Sequence, residues 1–163
     1  MSNNATTPAA TGNAPSPAVA QAPPAEYTLP NDDQEHDRLD LQHNMFIRSF
    51  HDKLGTAPPN ELGAKVGRVL DVGTGSGIWA IDFGDDHPEA DPRALNLRNA
   101  NRSNSVPPNV KFEVDDVEES WTFSQPFDYI HSRLMTGSIS NWEKYIRECY
   151  KLVLCPPQAR TKV

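Results

Sequence analysis

The chain has 163 residues, 37% of them hydrophobic and 23% charged, and a formal net charge of −7. That length holds one domain with a modest core, and an isoelectric point near 5.1 argues against a surface built to neutralise nucleic-acid phosphates, which needs clustered Lys and Arg. No apolar run reaches the roughly 18 residues of a membrane-spanning helix, and the N-terminus lacks the charges and apolar stretch of a secretory signal, so the chain is expected to be soluble and intracellular.

Residues 1–26 contain no charge before Glu26 and are dominated by Ala, Pro, Ser, Thr, Asn and Gln. Such a segment buries too little apolar surface to offset its ordering entropy, so it reads as a disordered leader. Composition changes at EYTLPNDDQEHDRLDLQHNMFIRSFHDKL. Asn31 and Gln34 suit a helix N-cap and its N3 partner, and acidic residues crowd the first turn. Leu39, Phe46, Phe50 and Leu54 recur at near-helical spacing beside Met45 and Ile47, predicting an amphipathic helix over about 32–53. The glycines and prolines of GTAPPNELGAK then break the chain, so residues 27–60 form a helix and linker.

The domain proper is placed at 61–155. VGRVLDVG reads as a buried strand, a glycine loop follows, and Ile78, Trp79, Ile81 and Phe83 predict a short apolar helix. NVKFEVDD and PFDYIHS read as two further strands, each after a proline-containing turn. Between them the alternation of elements calls for one more strand; Pro92 lacks a donor, so it is placed over 93–97. Last comes a helix with a capping box at Ser140 and Glu143 and an apolar stripe of Trp142, Ile146, Cys149 and Leu152. Cys149 reads as a core thiol and Cys155 as a loop thiol, a spacing that suits neither a disulfide framework nor a zinc site. Residues 156–163 form an irregular tail. Strands alternating with helices imply a mostly parallel α/β sheet.

The chemistry centres on DVGTGSGIWAIDF, residues 71–83, which follows the first strand. In an open parallel sheet the ligand crevice lies beyond the carboxyl ends of the strands, where this loop falls. A phosphate-cradling P-loop needs a Lys that the loop lacks. A dinucleotide fingerprint needs G-x-G-x-x-G, whereas the third glycine here comes one residue early, and the Asp71 carboxylate would repel a pyrophosphate. S-adenosylmethionine reverses those signs, because it carries an ammonium and a sulfonium and no phosphate. Asp71 then attracts the ammonium, and the bare backbone at Gly73, Gly75 and Gly77 lets the ligand lie close. Asp115 or Asp116, at the end of the third strand, would accept from the adenine amino group, while the fourth strand carries Tyr129, His131 and Arg133 to the same edge. Each has an ordinary alternative: the acidic run from Asp115 to Glu119 as a solvated loop, His131 as a structural histidine rather than a proton carrier.

Four segments, LPNDDQEHDRLDLQHNMF, RVLDVGTGSGIWAIDFGDDHPEA, VPPNVKFEVDDVEESWTF and PFDYIHSRLMTGSISNW, together resemble the fungal LaeA-like methyltransferases, regulators of secondary metabolism and their enzyme relatives. The resemblance covers about residues 27–154 and implies a Rossmann-like class I methyltransferase fold with S-adenosyl-L-methionine as cofactor. It implies that Asp71, Gly73, Thr74 and Gly75 form the first cofactor motif, that Asp115, Asp116 and Val117 border the adenine, and that His131 and Arg133 border cofactor and substrate; it fixes no catalytic residue, His131 being a candidate only from its place on the fourth strand. Arg38, Gln42 and His43 fall on a helix that covers the cofactor site as a lid in similar enzymes. His36 and His43 lack a third ligand, so no metal is expected. Asn96 stands where family members usually carry an acidic residue for the ribose hydroxyls.

Where the family continues with a proline-glycine-glycine turn and three more strands, this chain reads LCPPQARTKV. The resemblance therefore implies a partial sheet of strands one to four, with the fourth as an edge. The leading expectation is methyl transfer to an unidentified acceptor, with velvet-type regulators as partners and nuclear or cytoplasmic residence implied by resemblance. The alternative is an inactive fragment serving as an interaction protein; a nicotinamide-dependent oxidoreductase ranks third.

Overall fold

The computed structural model describes residues 32–96 and 106–153; the leader 1–26, Asn31, Leu97, Cys155 and the tail 156–163 lie outside the described residues. Helix α1 (Asp33–Ser49) is capped one residue later than the sequence pattern suggests. Asp32 is extended and its Oδ1 accepts from the Glu35 amide at 2.9 Å, with Asp33 and Glu35 complementing the helix dipole in the first turn. The helix also closes earlier than residue 53. His51 and Asp52 take left-handed φ values of 57° and 60°, and the Asp52 amide closes on the Ile47 carbonyl at 2.9 Å. Leu54 is thereby off the helix yet still buried.

Strand β1 (Arg68–Val72), helix α2 (Ile78–Asp86), strands β2 (Asp91–Asn96), β3 (Lys111–Val114) and β4 (Tyr129–Ser132), and helix α3 (Trp142–Leu152) follow. The strands form one parallel sheet in the order β3-β2-β1-β4. This is the Rossmann-like α/β fold expected, with β1 central and β4 at an edge among the described residues.

Strand β2 begins two residues before the predicted start and includes Pro92. In a parallel strand successive residues bond to opposite neighbours. The Asp91 amide donates to Gly67 on the β1 side, so the donor Pro92 lacks would face β3. Pairing with β3 starts only at Arg93↔Lys111, one residue later, and the proline ring is fully buried instead.

Helix α3 differs from expectation in two respects. Its cap is Asn141, whose Oδ1 accepts from the Lys144 amide at 2.9 Å, because the Ser140 amide is taken by the Glu118 carboxylate. Its inward face is Tyr145, Cys149 and Leu152, whereas Trp142 and Ile146 are 40% and 60% exposed. Cys149 belongs to both stripes, and the buried Tyr145 ring selects the one that faces the sheet.

The two sheet faces each carry a core. Val69, Ala94, Trp79, Ala80 and Phe83 form one, with α2 and, through Ile47, α1 against it. Leu70, Val72, Leu95, Phe127 and Tyr145 form the other, under α3. The period-2 alternation of β1 thus puts Val69 and Asp71 on the α1/α2 face and Leu70 and Val72 on the α3 face. Asn109 ties the first face to β3. Its Nδ2 lies 3.1 to 3.2 Å from the carbonyls of Gly84, His87 and Ala90, a two-hydrogen amide shared between the end of α2 and the turn into β2. Asn109→Ala is expected to cost about 1–3 kcal/mol, read as a lower urea midpoint with unchanged slope. Among the described residues no helix is long and apolar enough to cross a membrane.

Candidate functional site

The register of the sheet builds the site. Asp71 and His131 are Cα partners in the β1–β4 ladder, so their side chains emerge side by side on the same face. His131 Nδ1 lies 2.7 Å from Asp71 Oδ1, and the Thr74 hydroxyl donates to Asp71 Oδ2 at 2.5 Å. Asp71 is only 3% exposed. Both its oxygens are engaged within the chain, and each keeps acceptor capacity for a further donor. It orients a hydroxyl and an imidazole, and its charge acts on the crevice through them. The His131 ring stacks on Trp79 with centroids 3.8 Å apart and planes 5° from parallel. With Nδ1 tied to a carboxylate and no hydrogen bond to Nε2 among the described residues, the second ring nitrogen is left for a ligand.

The glycine loop is anchored to β2, since the Gly73 and Thr74 amides both donate to the Leu95 carbonyl, at 2.9 and 3.1 Å. Gly73 and Gly77 have φ values of 69° and 81°. A Cβ at Gly73 would collide with Met135 Sδ, and one at Gly77 with the Phe112 ring. The bareness of this backbone is therefore filled in part by the protein's own side chains, which approach the loop as closely as glycine permits.

Helix α1 crosses above the loop. Ser76 Oγ lies 2.6 Å from Asp40 Oδ1, and a Cβ at Gly75 would come 3.2 Å from Leu39 Cδ1. Between α1, the loop and the segment after β4 lies a crevice of about 210 Å³. Of the residues read from the sequence, Arg38, Asp71, Gly73, Thr74, Gly75 and His131 line it. Asn96, Asp115, Asp116 and Val117 do not. Asn96 Nδ2 donates to the Gly75 carbonyl at 3.2 Å, which places the end of β2 against the loop. Asp115 is exposed, Asp116 Oδ1 accepts from the Glu118 amide at 2.9 Å, and Val117 packs against the α3-side core.

Two arginines reach the crevice and differ in charge balance. Arg38 grips the Glu35 carboxylate through two bonds of 2.7 Å, and that hydrogen bonding holds Glu35 below the usual carboxylate range. Arg133 has no carboxylate within ion-pair distance among the described residues. It donates through Nη2 to His43 Nδ1 at 3.1 Å, lies 4.7 Å above the Phe46 ring, and is pulled below the usual guanidinium value by burial. His43 itself is 1% exposed, and its Nε2 lies 2.9 Å from Asp82 Oδ2 on α2. The sequence reading places His43 on the lid helix, but the Asp82–His43–Arg133 chain escapes it. Its members lie 39 and 90 residues apart, and no motif or periodicity links them.

A family model described as a methyltransferase domain matches residues 41–159. At 44% identity over 124 residues the chain is similar to the methyltransferase pytC of Aspergillus terreus, an alignment covering 76% of this chain and 37% of that protein. It is 38% identical over 127 residues to the secondary metabolism regulator LAE1 of Cochliobolus heterostrophus, covering 76% and 41%. To the protein-methionine methyltransferase laeA of Emericella nidulans it is 34% identical over 127 residues, covering 76% and 33%. The chain thus spans no more than 41% of the length of these curated relatives. Among solved structures, a TehB-like SAM-dependent methyltransferase from Corynebacterium glutamicum aligns with a TM-score of 0.49 and 15% identity, over 74% of this chain and 68% of that one.

Proposed function

Because this chain belongs to the methyltransferase-domain family, we propose that its glycine-loop crevice binds S-adenosylmethionine and that the protein transfers a methyl group to an acceptor nucleophile. The observation that carries the reading is the junction of β1 and α2. Three left-handed glycines, Gly73, Gly75 and Gly77, stand in line beyond the carboxyl end of the central strand, under a helix that roofs them. The lining suits an amino-acid ligand: the Asp71 charge and the Arg133 guanidinium answer an ammonium and a carboxylate, and no lysine stands in the loop to seat a phosphate. Asn96 ends β2 and Asp115, Asp116 and Val117 follow β3, at the same carboxyl edge of the sheet, where the ribose and adenine would extend.

When bound, the cofactor supplies a methyl group activated on a sulfonium. The chain contributes position and exclusion of water: the loop and α1 hold the ligand between them, and Trp79 stacks behind His131. With Asp71 on Nδ1, His131 presents Nε2 as the acceptor for any proton the nucleophile releases. A thioether acceptor, as the name of the Emericella nidulans relative indicates for that protein, releases none; a hydroxyl or amine releases one. Similarity to proteins named as secondary metabolism regulators supports extending the reading to velvet-type partners and to nuclear or cytoplasmic residence.

The test is thermal unfolding with S-adenosylhomocysteine, the product of transfer. At a ligand concentration 100 times Kd, mass action adds about 2.7 kcal/mol to the folded state, so Tm is expected to rise by several degrees. A Tm that stays flat up to millimolar ligand refutes cofactor binding.

A further inference from the structure

We infer that Asp82 and His43 are a positioning pair that holds the Arg133 guanidinium over the crevice, where its remaining N–H groups receive the carboxylate of the bound cofactor. This rests on the crevice being the S-adenosylmethionine site.

Arginine can only donate, so the 3.1 Å contact from Arg133 Nη2 makes His43 Nδ1 an acceptor. The proton of the neutral ring is then on Nε2, which donates it to Asp82 Oδ2 at 2.9 Å. Asp82 thereby fixes the tautomer that Arg133 requires. The pattern is that of a carboxylate orienting an imidazole that in turn orients a third group, here a cation. His43 is 1% exposed on the inward face of α1, between Leu39 and Phe46–Ile47. A buried imidazole there lacks an ordinary packing reason, and its two ring nitrogens are spent on joining α2 to the segment after β4.

The Phe46 ring supports the guanidinium from one side at 4.7 Å, so position as well as charge is set by α1. Arg133 engages one of its five N–H donors with His43, and it lines the crevice. Arg38 lines the same crevice but is neutralised by Glu35. Arg133 is therefore the cation whose charge is available to a ligand carboxylate, and its donors match that anion in a planar fork.

The experiment is calorimetric titration of the full chain with S-adenosylhomocysteine, comparing wild type with His43→Gln, His43→Leu, Asp82→Ala and Arg133→Leu, and with His43→Leu and Asp82→Ala each combined with Arg133→Leu. Glutamine can accept from Arg133 through its amide oxygen and donate to Asp82 through its nitrogen, so His43→Gln is expected to bind within about threefold of wild type. His43→Leu and Arg133→Leu are each expected to weaken binding roughly tenfold or more, the effect of losing a charged hydrogen bond. Asp82→Ala, at a half-exposed position on α2, is expected to bind more weakly than wild type and to fold even if the leucine variant does not.

The deciding result is coupling: once Arg133 is leucine, neither His43→Leu nor Asp82→Ala should weaken binding further. Additive losses in the combined variants, or wild-type affinity for Asp82→Ala and His43→Leu, overturn the positioning role while leaving the cofactor reading intact. Wild-type protein that fails to bind overturns both.

Discussion

Trp79→Ala is expected to lower the unfolding free energy by about 3–5 kcal/mol, the range for truncating a large buried aromatic, and to free His131 in the same stroke. Trp79 is 2% exposed. It stacks on Phe83 at 5.0 Å and on His131 at 3.8 Å, meets Tyr129 edge-on at 6.1 Å, and donates from Nε1 to the Leu54 carbonyl at 3.2 Å. Phe83 and Leu54 are themselves buried in the same core, so the surrounding packing relaxes only in part into the vacated volume. Trp79→Phe separates the contributions. It keeps a stacking ring beside His131 but orphans the Leu54 carbonyl and leaves a smaller void, so a loss of about 1–3 kcal/mol is expected. Chemical denaturation measures both, and the His131 ring resonances report whether the imidazole stays fixed. If Trp79→Ala costs no more than Trp79→Phe, the stack carries no stability.

Gly73→Ala is expected to destabilise by about 2–5 kcal/mol, the sum of about 1–2 for a left-handed residue with a Cβ and about 1–3 for overpacking. Gly63 supplies the control. Its φ of 80° is as left-handed as the 69° of Gly73, but nothing lies within 4 Å of its missing Cβ, so Gly63→Ala should show the conformational cost alone, about 1–2 kcal/mol. The difference between the two is the collision with Met135. Because Met135 also lines the crevice, Gly73→Ala should weaken S-adenosylhomocysteine binding, whereas Gly63→Ala, on a remote exposed turn, should leave it unchanged. Equal destabilisation by the two substitutions would sink the packing account of the loop.

The parts of the molecule legible in the sequence are those governed by local chemistry. The glycine loop follows an apolar run and precedes an apolar helix, so its place could be read from residues 66–83, while the left-handed φ values of its glycines come from the structure. The elements that shifted did so for tertiary reasons. Pro92 sits in a strand because the neighbour it would have bonded has not yet begun pairing. Ser140 loses its capping role because Glu118, far earlier in the chain, claims its amide. The α3 stripe turns by one residue because Tyr145 outweighs Trp142 and Ile146 in the contact with the sheet. The candidate site divides likewise. Asp71 and the glycine loop lie at the carboxyl end of β1, as the local sequence indicates, but their partners depend on register. Asp71 meets His131 only because β4 pairs with β1, and Arg38 lines the crevice with its charge paired to Glu35. Neither link of the Asp82–His43–Arg133 chain has a local signature.

The position of β4 has a bearing on how firmly the crevice is built. In its parallel ladder the even-numbered residues face β1, as the Asp128 amide bonding Arg68 indicates, and the odd-numbered ones face outward, as the Phe127 amide bonding the Leu152 carbonyl at 2.7 Å indicates. Val153 bridges Phe127 and covers the first outward position. Among the described residues nothing pairs with the outward amide groups of Tyr129 and His131 beyond it. Among the described residues the imidazole that lines the crevice is thus mounted on an edge strand, and local opening there is expected before the central strands yield. Any strand that docks along β4 would raise ligand affinity without touching the ligand, by removing ordering entropy that the ligand would otherwise have to supply.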